Sequence, residues 1–204
     1  MPAPRDTVVK IAREALPFAL VLAAVSLAAA WWHPLAALPG VLLLAFVLWF
    51  FRDPERETPR QAGLIVSPAD GRIIRAGPER ISVFMNVFNV HVCRAPCAGR
   101  AEKVESHRGR FAAAFRDHAS EHNERVSIVL ADGERRLRFT LVAGLIARRI
   151  VCKVGAGQRL EAGQRVGLIR FGSRVDVDLP PGAEVTVRRG DRVVAGETPI
   201  ARLS

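Results

Sequence analysis

The sequence predicts a mainly β protein: a barrel-sandwich domain carried behind a membrane-spanning α-hairpin. Three observations predict it. Two apolar runs without a charge stand back to back near the N-terminus, from Leu16 to Trp32 and from Leu35 to Phe51. Beyond Leu64 the chain reads as short β-type runs separated by glycine turns, the spacing of antiparallel sheets. One of those units, Gly157-Gln-Arg-Leu-Glu-Ala-Gly163-Gln164, returns 33 positions later as Gly190-Asp-Arg-Val-Val-Ala-Gly196-Glu197.

The hairpin comes first. Each apolar run holds 17 residues, and only His33 and Pro34 separate them. That length is at the short end of what crosses a bilayer, about 17–25 residues. A cleaved signal peptide carries one such run, not two. Trp31, Trp32 and Trp49 lie at the run ends, where interfacial aromatic side chains belong. Arg5, Lys10 and Arg13 precede the hairpin, Arg52, Arg56 and Arg60 follow it, and the connection carries no Lys or Arg. The positive-inside rule then puts both ends on the cytoplasmic face of the cell (inner) membrane. The expected organisation is a cytosolic tail over 1–15, the hairpin over 16–51, a polar linker over 52–62 and a folded domain over 63–204.

Charge and cysteine usage narrow the partners. From residue 61 onward there are 24 Lys and Arg against 15 Asp and Glu. Near anionic lipid each basic residue is worth about 1 kcal/mol, so an anionic membrane suits a tethered basic domain. Nucleic acid suits it less, because the chain has no Tyr and its basic residues are not interleaved with stacking rings. Cys93, Cys97 and Cys152 form no even set and are read as reduced thiols. Cys93-x-x-x-Cys97 lacks the second ligand pair of a structural zinc site, and no metal is expected.

The β region follows. Leu64-Ile65-Val66 is a short strand ended by the turn Ser67-Pro-Ala-Asp-Gly71, in which Asp70 is most simply a turn former. Ile81 to Cys93 alternates as one strand, with Phe84, Asn86, Phe88, Val90 and Val92 on one face. Met85, Val87, Asn89, His91 and Cys93 share the other. His91 is there either as a structural histidine or as a proton carrier suited to neutral pH. His118-Ala-Ser-Glu121-His122 matches a metalloprotease pattern formally. That pattern needs a long helix, whereas Asn123-Glu124-Arg125 leads straight into the strand Val126 to Leu130. Asp132-Gly133 then turns into a second strand, Arg135 to Val142.

Each copy of the repeat is a glycine turn, a short strand and another glycine turn, the pattern of the small sandwiched barrel of biotinyl and lipoyl carriers. Such carriers hold their cofactor on a lysine at a hairpin tip, and no lysine follows Lys153, which excludes a swinging arm. Between the copies, the runs Val166 to Phe171 and Arg174 to Val177 are interrupted at Gly172-Ser173. Glycine inside a strand pattern marks a bulge or a close backbone approach. A serine hydroxyl directly after it allows a second reading, a backbone bond made to break with Ser173 as internal nucleophile. The residues alone leave both open.

Several stretches together resemble the phosphatidylserine decarboxylase proenzyme family, in its short, membrane-anchored (archaeal-type) pyruvoyl-dependent form. They are Gly144-Leu-Ile-Ala-Arg-Arg-Ile-Val-Cys152, Ala162 through Arg170-Phe-Gly-Ser-Arg174 to Pro180, and Phe88-Asn-Val-His-Val92, with Ser67-Pro-Ala-Asp-Gly71 and Ala119-Ser-Glu-His-Asn-Glu-Arg125. The resemblance implies autocatalytic cleavage between Gly172 and Ser173, Ser173 becoming a covalent pyruvoyl group that condenses with the serine amine of phosphatidylserine. It implies that Asp70 and His91 assist the cleavage, with Asp70 orienting the imidazole. The products would be chains 1–172 and 173–204, held together as a heterodimer with room for a higher oligomer. The product lipid would be phosphatidylethanolamine. Longer members carry a second histidine where this chain has Phe88, so His91 would act alone. Arg94 and Arg174 are near in sequence to these residues and are candidates to hold a lipid phosphate. Outside this family, the rival is a membrane-anchored β-barrel acting as a binding module, with the Gly172-Ser173 bond intact.

Overall fold

The computed structural model describes residues 9–109, 123–144, 149–170 and 172–203. The chain divides into two compact units, Met1–Glu55 and Arg56–Ser204, and the division falls within the segment expected to be a linker.

In the first unit the apolar runs are helices, α1 (Leu16–Trp32) and α2 (Leu38–Phe50), joined through a short 3₁₀ turn at Pro34–Ala37. Together with the preceding 3₁₀ turn, Arg13–Trp32 is long and apolar enough to cross a membrane. The helices approach where Gly40 faces Ser26, whose hydroxyl bonds back to the Leu22 carbonyl at 2.7 Å. A Cβ at residue 40 would collide with that hydroxyl, so a small residue permits close packing there. The residues flanking the hairpin, read as tail and linker, pair with each other. β1 (Val9–Ile11) and β2 (Arg52–Pro54) form an antiparallel ribbon. Its cause is connectivity: an antiparallel hairpin returns its two ends to one place, and pairing satisfies their backbone groups.

The second unit is made of β3 (Leu64–Val66), β4 (Gly71–Ala76), β5 (Arg80–Met85), β6 (Val92–Arg94), β7 (Gly99–His107), β8 (Arg125–Asp132), β9 (Arg135–Ala143), β10 (Ile150–Cys152), β11 (Arg159–Leu160), β12 (Arg165–Ile169), β13 (Ser173–Asp178), β14 (Glu184–Val185), β15 (Arg192–Val193) and β16 (Pro199–Arg202). Among the described residues they form an eight-stranded antiparallel sheet, ordered β11-β7-β8-β9-β13-β5-β4-β15, and two three-stranded sheets, β10-β12-β6 and β14-β16-β3. Period-2 patterning builds the large sheet. In β9, Leu137, Phe139, Leu141 and Ala143 are buried while Arg136 and Arg138 are exposed. Val126, Ile128 and Leu130 of β8 lie on the same core face, with Val83 and Met85 of β5 and Val175 and Val177 of β13. Val166 and Ile169 of β12 and Cys93 of β6 enter that same core from a smaller sheet. Each fully buried Ile, Leu or Phe stabilises by about 1.5–3 kcal/mol relative to exposure.

The repeat seen in the sequence is a repeat in space. Gly157 (φ 88°) and Gly163 (φ 75°) bracket β11, and Gly190 (φ 100°) and Gly196 (φ 75°) bracket β15. All four occupy left-handed backbone, which glycine adopts without a Cβ penalty. β11 and β15 are the two edges of the large sheet.

One expected strand is broken. Ile81 to Cys93 is not continuous: β5 ends at Met85 and β6 begins at Val92. Asn86 and Asn89 cause the break. The Asn89 side-chain oxygen accepts from the Asn86 N–H, and the Asn86 side-chain oxygen accepts from the Phe88 N–H, both at 2.9 Å. These bonds compete with the ladder and close a tight turn.

Candidate active site

At Gly172-Ser173 the chain leaves one sheet for another. β12 belongs to a three-stranded sheet, and four residues after Ile169 the chain enters the middle of the eight-stranded one as β13. Ser173 is the first residue of that strand, opposite Met85 of β5 and Ala143 of β9. It is 0% exposed, and among the described residues its hydroxyl oxygen has no hydrogen-bond partner. Leaving a buried polar group unpaired costs about 1–3 kcal/mol, and such a group calls for a functional or structural account. Gly172 adopts φ 57° with open space around its Cα. Conformation, not crowding, demands glycine there.

His91 precedes β6 and is buried. Its carbonyl accepts from the Ile169 N–H at 3.2 Å, so it lies beside the end of β12. Four residues of chain separate that contact from Ser173, a reach of at most about 14 Å. The ring Nδ1 is 2.9 Å from the Asn89 carbonyl oxygen. A carbonyl only accepts, so Nδ1 carries the proton of the neutral ring and Nε2 carries the lone pair. The turn that breaks the expected strand therefore sets the histidine's tautomer.

Asp70 lies in the Ser67–Gly71 turn. Its Oδ1 accepts from the Ala195 N–H at 2.8 Å, and its Oδ2 accepts from the Arg56 guanidinium at 2.9 Å. The same turn is fastened to β6, because the Pro68 carbonyl accepts from the Arg94 N–H at 2.8 Å. The Asp70 charge reaches that strand too. Burial foremost, and then the nearby Asp70 carboxylate, push the Cys93 thiol well above its ordinary range. The Asp70 turn is thus tied to β6, which His91 immediately precedes, and the His91 backbone lies against the end of β12, four residues before Ser173.

Other expected candidates fall elsewhere. Arg94 is buried and donates to the Gly163 carbonyl at 3.0 Å, and Arg174 is buried beside Asp176 at 2.9 Å, so both serve internal contacts. His118, Glu121 and His122 lie outside the described residues. The cysteines are free thiols, Cys97 pushed up to about 12 by burial and secondarily by Asp132. Two contributors escaped the sequence reading. The Asn89 carbonyl was signalled by the two asparagines three apart, a turn pattern. Arg56, 14 residues from Asp70, carried no local signal.

A family model described as phosphatidylserine decarboxylase matches residues 43–79 and 75–201. Three relatives are each called a phosphatidylserine decarboxylase proenzyme. That of Symbiobacterium thermophilum is 48% identical over 207 residues, covering 95% of either chain. That of Chlorobium chlorochromatii is 48% identical over 174 residues, 80% of this chain and 82% of its own. That of Gluconobacter oxydans is 46% identical over 211 residues, 94% and 93% of the two.

Proposed function

This chain belongs to the phosphatidylserine decarboxylase family, and from that premise we propose that it is made as a proenzyme, cleaves itself between Gly172 and Ser173, and decarboxylates phosphatidylserine to phosphatidylethanolamine. The observation that carries the cleavage is the buried, unpartnered Ser173 hydroxyl directly after a left-handed Gly172. A hydroxyl kept dry and unbonded is costly to maintain and is available to its own backbone.

The first step uses the chain's own residues. His91 Nε2 takes the Ser173 hydroxyl proton, and the oxygen attacks the Gly172 carbonyl carbon. The peptide C–N bond breaks, the proton passes to the departing nitrogen, and an ester joins Gly172 to the Ser173 side chain. Loss of the Ser173 Cα proton then expels the Gly172 carboxylate and leaves dehydroalanine, whose hydrolysis consumes one water and releases ammonia. Because nucleophile and carbonyl are covalent neighbours, proximity supplies several of the kcal/mol required. The imidazole is aimed by the Asn89 carbonyl, and Asp70, braced by Arg56 and Ala195, contributes negative charge beside the strand that carries it.

A pyruvoyl group at residue 173 fits this position, since its precursor hydroxyl already sits there without a competing partner. Its ketone supplies an electron sink for the carbanion that remains when carbon dioxide departs. His91, protonated, is the candidate to return a proton to that carbon. The related glycine hairpins at the two sheet edges support a barrel-sandwich fold for residues 63–204. The apolar hairpin, with basic residues at both ends, supports the short, membrane-anchored form with its catalytic unit on the cytoplasmic side.

Intact mass and denaturing gels test the scheme. The purified protein is expected as two chains, 1–172 and 173–204, and Ser173→Ala as one unbroken, inactive chain. A Ser173→Ala variant that still splits overturns the assignment, and an intact, hydride-inert chain in the unsubstituted protein would leave only an anchored binding module.

A further inference from the structure

The turn that orients His91 has an outer side, and its tip is apolar. Phe88 is 67% exposed. Among the described residues, every other large apolar side chain exposed to solvent belongs to Met1–Glu55. Nothing loose puts it there. The Asn86 side chain bonds the Phe88 N–H, the Asn89 side chain bonds the Asn86 N–H, and the Asn89 N–H bonds the Asn86 carbonyl at 3.1 Å. Three bonds over four residues fix the backbone of the short loop that presents Phe88. That loop joins Met85, the register partner of Ser173, to His91.

Exposed arginines share the sheet end that carries Phe88. Arg72 is exposed and pairs in register with Phe84, one residue from the end of β5. Arg149 is exposed, and its carbonyl accepts from Arg170 N–H just past the contact between His91 and Ile169. Arg108 is exposed and follows His107, the last residue of β7, which pairs with Arg125 at the start of β8. All belong to the end of the sheets that carries Ser173. The opposite end, about 24 Å away along β8 at strand rise, mixes the exposed carboxylates Glu79, Asp132 and Glu134 with the exposed arginines Arg135 and Arg136, and among the described residues no large apolar side chain of the second unit is exposed there.

From this we infer that Phe88 inserts into an anionic bilayer, so that the catalytic unit docks with its Ser173–His91 end facing the lipid. An exposed apolar tip on a sheet end that also presents exposed arginines fits a surface that is apolar beneath and negative above. Because the asparagine bonds already order the loop backbone, insertion need order little beyond the ring itself. The inference rests on the lipid substrate proposed above and adds how that substrate is reached.

The full chain carrying p-benzoylphenylalanine in place of Phe88 is reconstituted in vesicles of phosphatidylcholine and phosphatidylglycerol, which contain no phosphatidylserine, and irradiated. Lipid adducts on the peptide bearing residue 88 are expected several-fold above those from the same probe in place of Glu134. Replacing phosphatidylglycerol by phosphatidylcholine should lower the yield. No lipid adduct at 88, equal yields at both positions, or a protein–protein adduct at 88 overturns the inference. This readout needs no decarboxylase activity, so its failure is distinguishable from failure of the enzyme reading. Kinetics give the second arm: Phe88→Ser should lower kcat/KM on vesicle phosphatidylserine by about tenfold, leave a monomeric short-chain phosphatidylserine unaffected, and be rescued by Phe88→Trp. Equal loss on both substrates would put Phe88 inside the site and also overturn it.

Discussion

At the scale of single residues, the proposed chemistry depends on which nitrogen of His91 takes a proton. The Asn89 carbonyl at 2.9 Å commits Nδ1 to donation, which gives the role of base in the proposed step to Nε2. Removing the base should therefore stop maturation before any lipid is turned over. General acid–base catalysis contributes about 10²–10⁴-fold. On that scale His91→Ala is expected to remain a single chain while the unsubstituted protein is fully split, as followed on denaturing gels after synthesis. Normal splitting of His91→Ala would remove it from the first step. The break at Gly172-Ser173 was legible in sequence because a glycine interrupting two β-type runs is locally conspicuous, but its reading as a cleavage site came from the family resemblance, since the residues alone left a bulge open. The aim of His91 was not, because it comes from a backbone carbonyl exposed only when Asn86 and Asn89 fold against each other. Nor was Arg56: its pairing with Asp70 depends on tertiary placement, which no local pattern encodes.

At the scale of elements, β13 decides what cleavage can and cannot release. It lies between β9 and β5, with six register pairs on each side, from Ser173 opposite Ala143 and Met85 to Asp178 opposite Arg138 and Arg80. Cutting before Ser173 leaves both ladders untouched. β15 adds pairing to β4, and β16 adds pairing to β3, while Val175, Val177, Ile200 and Ala201 stay in the shared core. The short chain 173–204 should co-elute with chain 1–172 on size exclusion in mild detergent and separate only in denaturant. Val175→Asp would place a carboxylate without a counter-ion in that core, at a cost of several kcal/mol, and should prevent stable assembly. Release of the short chain from the unsubstituted protein under native conditions would contradict this account. The central β9 and β13 patterns were readable by alternation. The run from Ile81 to Cys93 alternated equally well yet broke, because periodicity does not register side chains that bond to their own backbone.

At the scale of the whole molecule, the distribution of charge relates the hairpin to the catalytic unit through the membrane itself. Both ends of the hairpin carry basic residues, the connection at His33 and Pro34 carries no Lys or Arg, and the unit that follows is basic. The translocation cost of Lys and Arg near apolar segments favours keeping both ends on the side of synthesis. Everything after Phe51 is then expected on that side, where anionic headgroups attract it. An impermeant amine-reactive label separates the alternatives. Every lysine in the chain lies outside the hairpin, at Lys10, Lys103 and Lys153, and Lys103 and Lys153 are exposed on the folded unit. Intact spheroplasts should leave all three unmodified, while inverted vesicles should show modification of Lys103 and Lys153 by peptide mass. Labelling in spheroplasts would reverse the orientation and place the catalytic unit outside. Equal labelling of Lys103 and Lys153 from both preparations would mean that charge alone does not orient the hairpin. In either case the basic surface would need a cause other than the lipid of the cytoplasmic leaflet.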